Sequence, residues 1–233
     1  MINDKEIKKI IKNTLSINKD DKEIIEESLV AQEKVFQLKT ELLSDATKQS
    51  HFELYDQYVK EFNKTSAQLD AVNRNAANSS HSAYRSLKLD ETYNMNAVYL
   101  HELYFANISD LSSQIGMDTL AFMKLSRDFG TFDDWQRDFI ACCMSSRCGW
   151  AVTYFNFFTQ TYMNSFIDLH SLNVPVFGYP VVVMDMWQHA YYRDYLNNPK
   201  AYIVAMMKQL NWNVIESRVE KTERVQNVFR GQK

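Results

Sequence analysis

The stretch PVVVMDMWQHAYYRDYLNNP, from Pro180 to Pro199, constrains this chain more than any other. Val181, Val182, Val183 and Met184 form an apolar, β-branched run of the kind that makes a buried strand, and the run ends on a carboxylate, Asp185. A carboxylate at the end of a buried strand is costly unless something neutralises it. The imidazole of His189, four residues on, is one candidate, and a metal held by both is a better one. An aromatic, helix-like segment follows. Any metal here needs further ligands from elsewhere in the chain.

A chain of 233 residues is one domain or one compact pair of subdomains. The hydrophobic fraction of 45% and aromatic fraction of 13% suffice for a real core. Only 5 Gly and 3 Pro point to long helices with few tight turns. The net charge of −3 and the lack of a basic cluster give no case for nucleic acid. No 18-residue apolar run exists, so no membrane span is expected. The first residues, MINDKEIKKIIKN, read as neither a secretory signal nor a typical transit peptide. Cys142, Cys143 and Cys148 are odd in number and lack CxxC spacing. They read as free thiols, buried or partly so, in a reducing compartment inside the cell.

The pattern along the chain predicts an α+β fold: a long helical hairpin, then an α/β domain with a three-stranded antiparallel sheet. Residues 1–43 form an extension in which Ile7, Ile10, Ile11 and Leu15, then Ile24, Ile25, Leu29 and Val30, fall at helical spacing. The hairpin occupies 44–110. Ser44 caps its first helix, which runs to about Leu69 with His51, Tyr55, Tyr58, Val59 and Phe62 on a stripe. NRNAANSS is the connection, His81–Leu89 a short helical link, and a second helix covers Glu91–Ser109 with Val98, His101, Tyr104 and Phe105. The domain over 111–224 opens with a helix from Gly116 to Ser126 and another capped by Thr131. Strands follow at Trp150–Phe158, Thr161–Leu169 and Tyr179–Asp185, then helices at Pro199–Leu210 and Asn213–Arg224. Residues 225–233 read as a loose tail.

The histidines are His51, His81, His101, His170 and His189. His51 and His101 sit on facing sides of the hairpin, and Asp185 and His189 come from the sheet edge and the turn after it. His81 competes with His51 for the first position. Three neutral imidazoles and a carboxylate suit iron or manganese by donor type and could also hold zinc.

Four segments then resemble one family. MDMWQHAYYRDYLNNP with LNWNVIESRV downstream is similar to the C-terminal signature D-x-W-E-H-A-Y-Y…N-W of the iron/manganese superoxide dismutases. FGTFDDWQRDFIACC…CGWAV, NAVYLHELYF and SDATKQSHFELYDQYVKEFN resemble the segments preceding it in that family. The likeness covers about residues 44–222 and implies a helical hairpin followed by a mixed α/β domain. It implies one iron or manganese ion per chain, held by His51, His101, Asp185 and His189. It also implies disproportionation of superoxide into oxygen and hydrogen peroxide.

Further roles follow by resemblance alone. Ala97 stands where one branch of the family carries a Gln, and His170, in FIDLHSLNVP, resembles the His with which another branch approaches the metal-bound water. Tyr58 is one residue short of the family's channel Tyr, whose place Val59 holds, and one residue is about 100° of helix. That phase predicts a Tyr58 turned away from the channel. Tyr55 replaces a gateway His. Gln188 replaces a Glu that bonds the metal-binding His of the other subunit, so a homo- or hetero-dimer is expected with weaker charge assistance. A second possibility is a catalytically impaired dismutase fold serving as a structural subunit of a larger assembly, as in some mitochondrial ribosomes, docked through residues 1–43. On that resemblance the mitochondrial matrix is favoured over the cytoplasm.

Overall fold

The computed structural model describes residues 31, 33–109 and 113–230. The chain divides into two units, Met1–Glu33 and Lys34–Lys233. The helices expected over 7–30 lie outside the described residues.

Residues 34–43, placed by the sequence in a helical extension, are irregular, with bends at 41–43. Their order comes from tertiary contacts instead. Leu38, Thr40 and Leu43 are buried. Phe36 packs on Tyr55 and Phe105 at ring separations of 6.4 and 5.4 Å, and Tyr195 donates to the Leu42 carbonyl at 2.7 Å.

Helix α1, Asp45–Ala71, begins at Ser44, whose side chain accepts from the Thr47 amide at 3.3 Å. It buries Thr47, His51, Tyr55, Val59, Thr65 and Leu69, a stripe at helical spacing. A short connection with one 3₁₀ turn, Arg74–Ala76, leads to α2, Ala83–Ile108. The expected link and second helix are one element. Ser82 caps it by accepting from Arg85 at 3.2 Å, and Ser86–Glu91 holds no Gly or Pro to interrupt it.

Helix α3, Leu120–Phe129, starts four residues later than Gly116, at the Thr119 cap. The Glu216 carboxylate accepts from the Leu120 and Ala121 amides, both at 2.7 Å. Gly130, at φ 95°, ends it. Helix α4, Phe132–Ser145, follows the Thr131 cap. Strands β1 (Gly149–Asn156), β2 (Thr161–Asp168) and β3 (Gly178–Asp185) form an antiparallel sheet in the order β2-β1-β3. The central β1 pairs Trp150 with both Ile167 and Asp185. Helices α5 (Gln188–Tyr195), α6 (Pro199–Met207) and α7 (Trp212–Arg230) close the chain. The stretch from 225 to 230, expected to be loose, is helical; residues 231–233 lie outside the described set.

A buried guanidinium locks the pieces that carry the site. Arg218 of α7 donates to the Val181 carbonyl at 2.9 Å, the Leu103 carbonyl at 3.0 Å and Asn107 Oδ1. Asn107 in turn donates to the Val183 carbonyl at 2.9 Å. Burial lowers the Arg218 pKa to about 10, yet it stays charged at neutral pH, satisfied largely by backbone carbonyls of α2 and β3.

Candidate metal centre

His51 on α1, His101 on α2, Asp185 at the end of β3 and His189 on α5 come together. One ligating atom from each lies within 4.8 Å of all the others. Asp185 Oδ2 is the focus, at 3.1 Å from His51 Nε2, 3.3 Å from His189 Nε2 and 3.9 Å from His101 Nε2. The other carboxylate oxygen accepts the Trp187 amide at 2.7 Å. His51, His101 and Asp185 are buried, and His189 is partly exposed. His81 is exposed in the turn before α2 and takes no part.

The protonation pattern tests whether a cation fits. His101 Nδ1 donates to the Ala97 carbonyl at 2.6 Å, one turn back on α2. A neutral imidazole carries one N–H, so His101 Nε2 is a bare lone pair. It is buried without a hydrogen-bond partner and faces a carboxylate oxygen. Lone pair against lone pair is repulsive unless a cation lies between. Burial holds the pKa of His51 below its ordinary value and that of His101 well below, so both stay neutral. Burial pushes the Asp185 carboxyl up, but the imidazoles of His189 and His51 on its Oδ2 outweigh burial and keep Asp185 ionised. Three imidazoles and one anionic oxygen form an N₃O donor set suited to iron or manganese. His51 Nδ1 is also buried without a partner, and no described residue accounts for it.

Aromatic side chains wall the cluster. Trp150, fully buried, stands edge-on to His101 at 4.8 Å. Its indole N–H donates to His170 Nδ1 at 3.0 Å. His170 is also buried, stacks on Trp187 at 5.0 Å and is fixed through its carbonyl by Asn96 Nδ2 at 2.9 Å. Burial lowers the His170 pKa to about 4. His170 Nε2 lies 3.1 Å from the Tyr58 hydroxyl.

Tyr58 therefore faces the site, contrary to the expectation from its offset. Seven residues turn an α-helix by about 700°, which leaves Tyr58 within about 20° of the face that carries His51. Tyr55 is buried and does not serve as an open gate: it donates to Glu102 Oε1 at 3.0 Å and accepts from the Lys34 amide at 3.1 Å. Gln188 is exposed. With Ser50, His189, Tyr192 and Arg193 it lines a surface pocket of about 520 Å³, outside the hydrogen bonds that converge on Asp185. Sequence reasoning missed Tyr93, whose ring stands edge-on to His170 at 4.6 Å. Its place eight residues before His101 on one helix was the available signal.

Comparison with known proteins agrees with this geometry. The family description "Iron/manganese superoxide dismutases, C-terminal domain" matches residues 118–218. The iron superoxide dismutase of Aquifex pyrophilus is 34% identical over 183 residues, covering 77% of this chain and 85% of that protein. The corresponding protein of Aquifex aeolicus (strain VF5) is 33% identical over the same shares. A manganese superoxide dismutase of Haloferax volcanii is 28% identical over 166 residues, covering 70% and 80%. From the extent of these matches, the fold and the clustered histidines and aspartate, the chain belongs to the iron/manganese superoxide dismutase family.

Proposed function

We propose that this chain is a superoxide dismutase that converts two superoxide anions and two protons into one oxygen and one hydrogen peroxide. His51, His101, Asp185 and His189 would hold a single iron or manganese ion. The observation that carries the reading is the convergence of three Nε2 atoms on Asp185 Oδ2, with His101 Nε2 left as an unpartnered lone pair. The names of the relatives, with iron in some and manganese in others, support the same activity and leave the metal open.

When bound, such an ion supplies one-electron redox chemistry between its divalent and trivalent states. The protein's own part is orientation and proton placement. Asp185 is held by the Trp187 amide, and His101 by the Ala97 carbonyl, so the donors are set before any ion arrives. Trp150, Trp187 and Tyr104 surround the cluster with apolar rings that limit water. His170 and Tyr58 present a hydrogen-bonded pair beside His101, placed to manage the protons that peroxide release requires.

A dimer is part of the proposal. Its support is the open pocket beside His189 and Gln188, which leaves a candidate ligand accessible at the protein surface. A reducing compartment, with the mitochondrial matrix as one candidate, rests on the free thiols Cys142, Cys143 and Cys148. A scaffold role in a larger assembly, docked through residues 1–43, has no observation in its favour. The test is metal content and superoxide consumption after expression with both metals supplied. We expect one ion per chain and turnover that His189→Ala abolishes; equal rates for the two proteins would sink the enzyme reading.

A further inference from the structure

His170 stands on the turn that follows β2, and the backbone there is constrained. Leu169, just before it, sits at φ 57° and Asn173, after it, at φ 65°; this left-handed region suits an asparagine but strains a leucine. The turn is tied to its own sheet. The Leu169 amide donates to the Cys148 carbonyl at 2.6 Å, the Leu172 amide to the Asp168 carbonyl at 3.1 Å, and Asn173 Nδ2 to the Phe166 carbonyl at 2.9 Å. It reaches the helical hairpin through His170 itself. Asn96 Nδ2 on α2 donates to the His170 carbonyl at 2.9 Å, and His170 Nε2 lies 3.1 Å from the Tyr58 hydroxyl on α1. An indole N–H can only donate, so Trp150 makes His170 Nδ1 an acceptor at 3.0 Å. The neutral ring then carries its proton on Nε2, aimed at the Tyr58 oxygen.

We propose that Asn96 is a positioning residue for the dismutase reaction: by holding the His170 carbonyl against α2, it keeps His170 Nε2 on the Tyr58 hydroxyl. This role rests on the dismutase reading and deepens it, because Asn96 lies five residues before His101 on one helix and so sets the His170–Tyr58 pair against a candidate ligand. Asn96 acts through His170. Its bond holds the backbone, from which the ring spans Trp150 and Tyr58 at once. Without that bond the turn is free to relax the strained Leu169. A displacement of about 0.5 Å then carries the Tyr58 contact out of hydrogen-bond reach.

Asn96→Ala removes the donor without weakening α2, since Ala favours a helix. Asn96→Asp keeps the size but, when ionised, offers only acceptors. In the full-length metal-free chain carrying ¹⁵N histidine, the His170 ring nitrogens are identified by their loss in His170→Gln. Their shifts are expected to move in both Asn96 variants and to stay in Asn94→Ala, whose lost amide donates to the Asp90 carbonyl on the same helix. In the metal-loaded protein, kcat for superoxide falls about tenfold in Asn96→Ala while metal per chain is unchanged. Adding Asn96→Ala to Tyr58→Phe slows that variant no further, since both changes remove one interaction. Unmoved His170 shifts, or equal movement in Asn94→Ala, would overturn the proposal, as would an unchanged kcat or a double variant slowed by the product of the single effects. If the wild-type chain loads metal but consumes no superoxide, the dismutase reading fails, and the His170 shifts alone then decide whether Asn96 positions the ring.

Discussion

Lowering the pH should unfold the metal-free chain through His170, and the size of the effect follows from its surroundings. The imidazole is fully buried, with its Nδ1 accepting from Trp150 and its face on Trp187. Burial takes its pKa from 6.5 to about 4. The unfolded chain therefore binds a proton between pH 6.5 and about 4 that the folded chain refuses. The stability tied to the neutral ring is complete above pH 6.5, falls as pH drops through that window, and levels off below it. At about 1.36 kcal/mol per pH unit, the window amounts to about 3 kcal/mol. His51 and His101 are displaced in the same direction by burial, so wild type alone does not isolate His170. Comparison with His170→Gln does, because a neutral amide can still accept from Trp150 and donate to Tyr58 without titrating. The assay is urea unfolding of both metal-free proteins at several pH values from 7.5 to 4, read as midpoint and slope. Wild type should lose about 3 kcal/mol more than His170→Gln across the window. Parallel curves would refute the reasoning, since they would mean that His170 is as easily protonated in the fold as outside it.

Three further outcomes follow from particular contacts. Arg218→Met should cost about 3 kcal/mol in urea unfolding, because the Leu103 and Val181 carbonyls and Asn107 lose a buried donor; a loss below about 1 kcal/mol would mean that water replaces the guanidinium. Gly149→Ala should lower the unfolding midpoint sharply, at a cost of about 2 kcal/mol or more, because a Cβ there would lie 1.8 Å from the Ile167 carbonyl oxygen; a wild-type midpoint would show that β1 and β2 separate readily. His51→Ala should abolish metal retention while His81→Ala leaves it unchanged, read as metal per chain after dialysis; the reverse would assign the first ligand to the turn before α2.

The parts of the fold legible in the sequence are those with local causes. Ser44 and Thr131 precede helices because their side chains satisfy amides that the first turn leaves open. Val181–Met184 reads as a strand because β-branched and apolar residues suit a strand buried on both faces, and β3 is buried from Pro180 to Asp185. That Asp185 needs partners was legible because a carboxylate at a buried strand end is costly alone, and the family resemblance pointed to His51, His101 and His189, which do cluster with it. Non-local causes hid the rest. Residues 34–43 are ordered by Tyr55, Phe105 and Tyr195, which lie far along the chain. The separate helical link expected over His81–Leu89 is the first part of α2, since nothing between it and Glu91 stops a helix once Ser82 has capped it. Tyr58 was misjudged by comparing its offset with a family pattern instead of with the direction of His51. Tyr93 became visible only when α1, α2 and the loop carrying His170 were brought together.

The most direct test of the central claim is to locate the metal in the loaded protein by X-ray absorption and anomalous diffraction. The account predicts one iron or manganese ion bound by the Nε2 atoms of His51, His101 and His189 and by Asp185 Oδ2. An ion bound elsewhere, or a protein that stays metal-free when both metals are supplied, would contradict it.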